Sequence, residues 1–514
     1  MVPFNKLMLT LLGKAITKPN DAAQAAGMLE TMQATVRLWL TTEDSGVAAQ
    51  AGELLYQLLR IDLPPEAAPT VERMEELATA GGQGLVAKRL FGDRDVYVVF
   101  FESCSLEHGA AGLSKGQKTI AQARLMEWLP RVGALHWSVL VRSHHRGIEE
   151  KYGVNAGAGL LDFAALRMVD YKDDVLMHRC LIDFYTELLV KTKELDTFAR
   201  REQVSPGLRF LIDNKLHDRT TKIYLDPYAV DAVDRAFLYG PAANYLAAYA
   251  SLFSHHYTSS STHLDVNSRL RNVLTEMTPL RWAHTESPSH DLRLLARLPR
   301  TTLLPYTSSP VALLPSGRIT NADVLNTLAA IFHGPDAATA SSEQSTVEGT
   351  AARAMYYNYL SEHRRFWEDL TLHAGTPALL DQALAAVNCL TAVITARWST
   401  TATESEPTLP TNLATPASGP LAILSPPSLE YTLPFLLSPA QRVGGVGDAE
   451  SAAYKVAVAK FEALAALRSR LAAEAEKTPG EGFEEMVETM GRRLGEGVWG
   501  RRSDVGGSVG TMEL

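Results

Sequence analysis

The stretch DVLMHRCLIDFYTELLV, residues 174–190, decides the fold class. Its apolar residues Leu176, Cys180, Leu181, Phe184 and Leu188 recur at the three- and four-residue spacing of one helix face, not at the two-residue alternation of a strand. Arg179, Asp183 and Glu187 fall on a second, charged stripe. An aspartate precedes the run, where its carboxylate accepts hydrogen bonds from unpaired N–H groups of the first turn. The same periodicity appears in NKLMLTLLGKAIT (5–17), AQAGELLYQLLRI (49–61), TIAQARLMEWL (119–129) and SAAYKVAVAKFEALAALRSRL (451–471). The one strand-like run, Val96 to Phe101, also admits a helical reading. The pattern predicts an all-α chain of roughly twenty helices.

A second regularity points to repeats. Asp44 is followed by Val47, Ala51 and Leu55, and the same gaps recur from Asp93 (Val96, Phe100, Cys104), Asp173 (Leu176, Cys180, Phe184) and Asp234 (Phe237, Pro241, Tyr245). An acidic cap ahead of a buried stripe suits stacked repeats of the armadillo and HEAT kind, in which no repeat buries its stripe alone. The starts are spaced irregularly against the ~40–47 residue period of those repeats, and any capped amphipathic helix shows similar gaps. The expectation is a helical-repeat solenoid over residues 1–398.

Five prolines within 286–319 exclude a continuous helix there. Residues 335–347, PDAATASSEQSTV, read as a mobile polar loop. From Ser399 to Gly447, eight prolines and thirteen serines or threonines make a linker by composition. Yet Leu421–Leu424 and Leu433–Leu437 are apolar enough to dock. Residues 448–497 read as C-terminal helices capping the solenoid, the first led by Asp448 with Tyr454, Val458, Phe461, Leu464 and Leu471 on one face. Residues 498–514 read as a disordered tail.

Composition narrows the function. Lys plus Arg number 49 against 58 Asp plus Glu, a net charge of −9. The basic doublets are scattered, so direct nucleic-acid binding is not expected. Three cysteines, Cys104, Cys180 and Cys389, are too few and too dispersed for a disulfide framework or thiolate zinc site. The opening MVPFNKLMLTLLGKAITK carries a short apolar core between Lys6 and Lys14, and no acid before Asp21. It lacks the cleavage site of a secretory signal, although a mitochondrial presequence is a minor alternative. No run approaches a membrane span. The expectation is a cytoplasmic protein, also able to be nuclear, that is monomeric alone and has no membrane partner.

No catalytic constellation emerges, and the chain reads as a non-enzyme without metal or cofactor. Gly112-Leu113-Ser114-Lys115-Gly116 matches a nucleophile elbow, which would make a serine hydrolase centred on Ser114, but no strand leads into it. Gly112, Gly116, Lys118 and Thr119 miss the phosphate-loop pattern because Gln117 separates glycine from lysine. Gly157-Ala158-Gly159 reads as an inter-helix turn. Adjacent histidines at 144–145 and 255–256 point about 100° apart on a helix, poorly placed to share a metal. His178 reads as a packing residue, and Asp170, Asp173, Asp174 and Asp183 as caps and a solvated face. What remains is surface: Arg179, Asp183 and Glu187 on one helix, Tyr239 and Asn244 on another, are the candidate partner-binding residues. Tyr245 and Tyr249 belong to the buried stripe.

The stretches FGDRDVYVVFFESCS (91–105), LLDFAALRMVDYKDDVLMHRCLIDFYTELL (160–189), DRAFLYGPAANYLAAYA (234–250), SPPSLEYTLPFLLSPAQR (425–442) and GDAESAAYKVAVAKFEAL (447–464) carry a family resemblance. Together they resemble the proteasome regulatory-particle assembly chaperones related to proteasome non-ATPase subunit 5, whose fungal members are catalogued under DNA mismatch repair. The resemblance implies an armadillo/HEAT-like solenoid without cofactor. It implies binding to the C-terminal domain of one AAA+ ATPase subunit of the proteasome base, blocking premature docking on the core particle. A scaffold in mismatch repair or nuclear transport is the alternative. No short motif marks the family's binding residues, so none is carried over to this chain.

Overall fold

The structure is a computed structural model that describes residues 2–64, 81–107, 112–193, 204–278, 281–282, 288–317, 320–335, 342–400, 408–439, 451–477 and 482–499. Among these residues every regular element is a helix, and the only β pairing is an isolated bridge between Arg142 and Ala158. The all-α expectation therefore holds. Val96 to Phe101 lies inside a helix, and among the described residues no helix is long and apolar enough to cross a membrane. The chain forms two compact units, residues 1–256 and 257–514. The sequence signals no boundary at 256, inside the stretch expected to be one solenoid.

The first unit contains α1 (Val2–Ala15), α2 (Pro19–Gly27), α3 (Leu29–Thr41), α4 (Ser45–Ile61), α5 (Arg94–Cys104), α6 (Lys115–Val141), α7 (Val175–Thr192), α8 (Pro206–Asp213), α9 (Leu216–Leu225) and α10 (Ala232–Leu252). Packing follows chain order: α3 lies on α4 and α5, α6 on α7, and α7 on α10, its main neighbour. An aromatic cluster closes the N-terminal core. Trp39 and Trp128 have ring centroids 4.9 Å apart, and Phe91 and Phe100 stack at 6.0 Å. Gly52 on α4 admits these rings: a Cβ there would stand 2.8 Å from Trp39 Nε1. Trp128 Nε1 donates to the Gly52 carbonyl at 3.1 Å, so a buried indole is satisfied by the backbone that the missing side chain leaves open.

The Asp-led helices are partly as expected. Asp44 accepts from Val47 N at 2.7 Å and Asp93 from Asp95 N at 3.0 Å, capping α4 and α5 above fully buried stripes. On α7 the cap is Asp174 rather than Asp173, and on α10 it is Asp231 rather than Asp234. With those starts, Leu176 and Phe237 sit in the first turns and point outward, at 58% and 42% exposure, against the expected inward stripe. The α7 core face instead centres on Met177, His178, Leu181, Phe184, Tyr185 and Leu188.

The second unit contains α11 (Thr262–Thr275), α12 (Ala322–His333), α13 (Ser342–Glu362), α14 (Phe366–Ala374), α15 (Leu380–Ile394), α16 (Leu429–Leu437), α17 (Ala452–Lys477) and α18 (Phe483–Gly495). The proline-rich 286–319 stretch forms Ser289–Leu295 and three short 3-10 turns, as its prolines require. Residues 342–347, expected within a polar loop, are the first turns of α13; the rest of that loop beyond Pro335 lies outside the described residues. Of the compositional linker, the described stretch 408–439 docks. Arg353 Nη2 on α13 donates to Thr415 O at 2.6 Å, Tyr357 Oη to Pro416 O at 2.9 Å, and Asn358 Nδ2 to Thr408 O at 3.1 Å. Ile423 and Leu436 then enter the core. The C-terminal α17 packs on α15 and α18 on α17. Its buried face runs through Val456, Ala457, Lys460, Leu464, Leu467 and Leu471, leaving Tyr454, Val458 and Phe461 on the flank of the face expected for them. Of the tail expected to be disordered over 498–514, Val498 and Trp499 are described, the first accepting from Arg493 Nη2 at 3.3 Å and the second against the Tyr454 ring at 6.1 Å; Asp448 and 500–514 lie outside the described residues.

Candidate interaction surface

The candidate residues on α7 and α10 lie on helices that share a polar network, buried at His178, Tyr185, His217, Tyr245 and Tyr249 and half-buried at Tyr171, Arg219 and His256. Tyr185 donates to the Ala165 carbonyl at 2.9 Å and accepts from Arg219 Nη2 at 3.1 Å. The Arg219 guanidinium lies 4.3 Å from the Tyr171 ring centroid, and Tyr171 packs against His178. Nearby, His217 Nδ1 and Tyr245 Oη are 2.8 Å apart, and Tyr249 Oη meets His256 Nδ1 at 2.6 Å. Burial pulls the pKa values of His178 and His217 down to about 4, so both rings are neutral at pH 7. Tyr245 and Tyr249 are buried, as expected. The sequence gives no sign that His217, Arg219 and Tyr171 belong to this network, because contacts between elements far apart in the chain have no periodic signature.

On the outer side, Leu176, Arg179, Asp183, Glu187 and Val190 form one exposed stripe along α7. Arg179 Nε and Asp183 Oδ2 are 3.9 Å apart, both more than half exposed, so this ion pair adds little stability. Partial burial raises the Asp183 pKa, opposed by Arg179. On α10, Val233, Phe237 and Asn244 are exposed along one ridge, while Tyr239 is half-buried against Tyr224 at 5.1 Å. The C-terminal ends of the two helices meet where Lys193 Nζ lies 4.6 Å from the Phe253 ring centroid. Counting back at ~1.5 Å per residue puts Asp183 and Asn244 at nearly the same height, with Leu176 and Phe237 together farther out. Each helix thus exposes polar groups, charged on α7 and an amide on α10, beside apolar side chains.

The other motifs resolve into structural roles. Ser114 is the N-cap of α6: its Oγ accepts from Gln117 N at 3.2 Å, and Gln117 Oε1 accepts from Ser114 N at 2.9 Å. Lys118 Nζ reaches the Leu106 carbonyl at 3.4 Å, and Gly157 turns the chain at φ +87°. His144 and His145 hydrogen-bond separately to the carbonyls of Val139 and Gly92. Asp174 is occupied as a cap. Among the described residues no three His, Cys, Asp or Glu side chains are grouped to hold a metal ion. Compared with protein-family models, curated proteins and solved structures, the chain matches none.

Proposed function

We propose that this chain is a helical-repeat binding protein that serves as an assembly chaperone of the proteasome regulatory-particle base. It acts without catalysis, engaging the C-terminal domain of an AAA+ ATPase subunit and keeping it from docking early on the core particle. The observation that carries the binding reading is the pair of exposed stripes on α7 and α10, placed over a polar core whose own groups are engaged. Adjacent helices with such stripes form the recognition ridge of stacked helical repeats. The choice of a proteasomal ATPase rests on the five stretches of sequence that resemble the non-ATPase subunit 5 family.

The test is gentle affinity purification of the tagged full chain, followed by native electrophoresis and mass spectrometry. One base ATPase and its base neighbours, without core-particle subunits, is the expected catch. Arg179→Glu with Asn244→Ala weakens that capture while leaving the melting temperature unchanged. No ATPase above background overturns the proposal, and recovery of repair or transport factors instead moves the function to the scaffold alternative.

A further inference from the structure

The first helix is apolar on two opposite sides, and among the described residues only one of them is covered. Toward α4, Leu9 is buried, Lys6 Nζ lies 3.4 Å from Asp44 Oδ1, and Gln50 Nε2 donates to Thr10 Oγ1 at 2.8 Å. On the far side Phe4, Leu7, Met8 and Leu11, spaced i, i+3, i+4 and i+7, are 61%, 56%, 42% and 53% exposed. These exposures describe a ridge standing out from the surface rather than a groove that would seat a peptide. Lys14, seven residues after Leu7, borders the stripe, and Lys18 follows the end of the helix; both are exposed. No acid occurs before Asp21, whose carboxylate already accepts from Thr17 N and Lys18 N. In a chain of net charge −9 this is a locally basic, amphipathic projection.

We propose that the outer face of α1 docks on an anionic lipid surface, lying in the interface with Phe4, Leu7, Met8 and Leu11 in the acyl boundary and Lys14 and Lys18 among the headgroups. Such contact needs no spanning helix; it departs from the sequence reading, which expects no membrane partner, and it is independent of the chaperone proposal. Charge selects this occupant. A second copy paired through this stripe would offer no carboxylate of its own α1 to Lys14, because the helix carries none. The stripe also exposes roughly 400 Å², a patch size typical of functional surfaces and about half of what each partner buries in a stable dimer. A flat anionic surface fits a convex apolar ridge with basic flanks.

The experiment is flotation of the full chain with vesicles of phosphatidylserine mixed with phosphatidylcholine, against phosphatidylcholine alone, with sedimentation velocity in parallel. Binding is expected to the mixed vesicles and to weaken as salt rises. Leu7→Glu with Leu11→Glu lowers it about tenfold or more, and Lys14→Gln with Lys18→Gln by up to about thirtyfold. Both variants change exposed side chains, and unaltered circular dichroism confirms that they fold. Absence of binding, binding indifferent to Leu7→Glu with Leu11→Glu, or self-association abolished by that variant would each overturn the proposal, the last by showing that the face pairs two copies.

Discussion

His217 Nδ1 and the Tyr245 hydroxyl are 2.8 Å apart in the interior between α9 and α10, with His217 6% and Tyr245 0% exposed. Burial is the main reason His217 titrates near 4, well below its ordinary 6.5. The unfolded chain takes up a proton as pH falls through 6.5, and the folded chain does so only near 4. Folding stability is therefore full above pH 6.5 and declines toward pH 4, by about 2–3 kcal/mol for this group. His178, also drawn down to about 4 by burial, adds a loss of the same sign. Urea midpoints measured from pH 7 to pH 4.5 are expected to fall steeply. His217→Gln retains a hydrogen-bonding group without the titration and flattens part of that acid limb. An unchanged slope would mean that His217 is solvated in the folded state.

The fold class was legible because helical period and caps are local. Asp44 and Asp93 are caps with buried stripes behind them, as their spacing indicates. The limit appears at Asp173 and Asp234, where an equally good pattern lies out of register with the true caps, Asp174 and Asp231. DYKDD and DAVD each offer more than one aspartate, and the spacing pattern alone does not choose between them. Arg179, Asp183, Glu187 and Asn244 were recognisable as exposed from helix geometry alone. The exposed Leu176 and Phe237 beside them were not, since apolar residues on a helical stripe read as core. The docking of 408–418 was equally hidden, because the donors that hold it come from α13 and meet main-chain carbonyls common to every sequence.

Arg124 shows how one side chain closes a helix end. Its Nη1 lies 2.9, 3.0 and 2.8 Å from the carbonyls of Trp39, Leu40 and Thr42 at the C-terminus of α3. Those oxygens have no partner within their own helix, and the guanidinium supplies a charge-assisted one. Arg124→Met keeps most of the apolar stem and leaves the carbonyls to water. A loss of about 2 kcal/mol is expected in urea denaturation, with Arg124→Lys recovering part of it. A neutral Arg124→Met would show that water replaces the guanidinium without cost.

At Gly52 two effects oppose each other. Replacing a mid-helix glycine with alanine ordinarily stabilises by ~1 kcal/mol. Here the new methyl would stand 2.8 Å from Trp39 Nε1 and crowd a ring that touches Trp128 and Phe100. Overpacking of this kind costs about 1–3 kcal/mol, so Gly52→Ala is expected to lower stability and to change the near-ultraviolet circular dichroism of the paired indoles. A stabilised variant with an unaltered spectrum would show that Trp39 yields freely.

In the second unit, the extended segment from Thr408 to Ser418 depends on α13 for its partners. Arg353 is buried and donates to both Thr415 O and Pro416 O, Tyr357 shares Pro416 O with it, and Asn358 takes Thr408 O. These bonds read main chain and not side chains, so the segment's sequence matters less to its docking than the donors do. Arg353→Met removes the central donor and is expected to ease local opening by about 2 kcal/mol, which raises cleavage in the fast-exchange regime roughly thirtyfold. Thermolysin should then cut at Leu409 or Leu413 before the rest of the unit is touched. Asn358→Ala frees only the Thr408 end and should act more weakly. Gly419 gives the opposing anchor: a Cβ there would fall 1.8 Å from the Val393 carbonyl of α15, so the backbone is seated directly on that helix. If Arg353→Met leaves proteolysis unchanged, that close seat, and not the α13 donors, holds the segment in place.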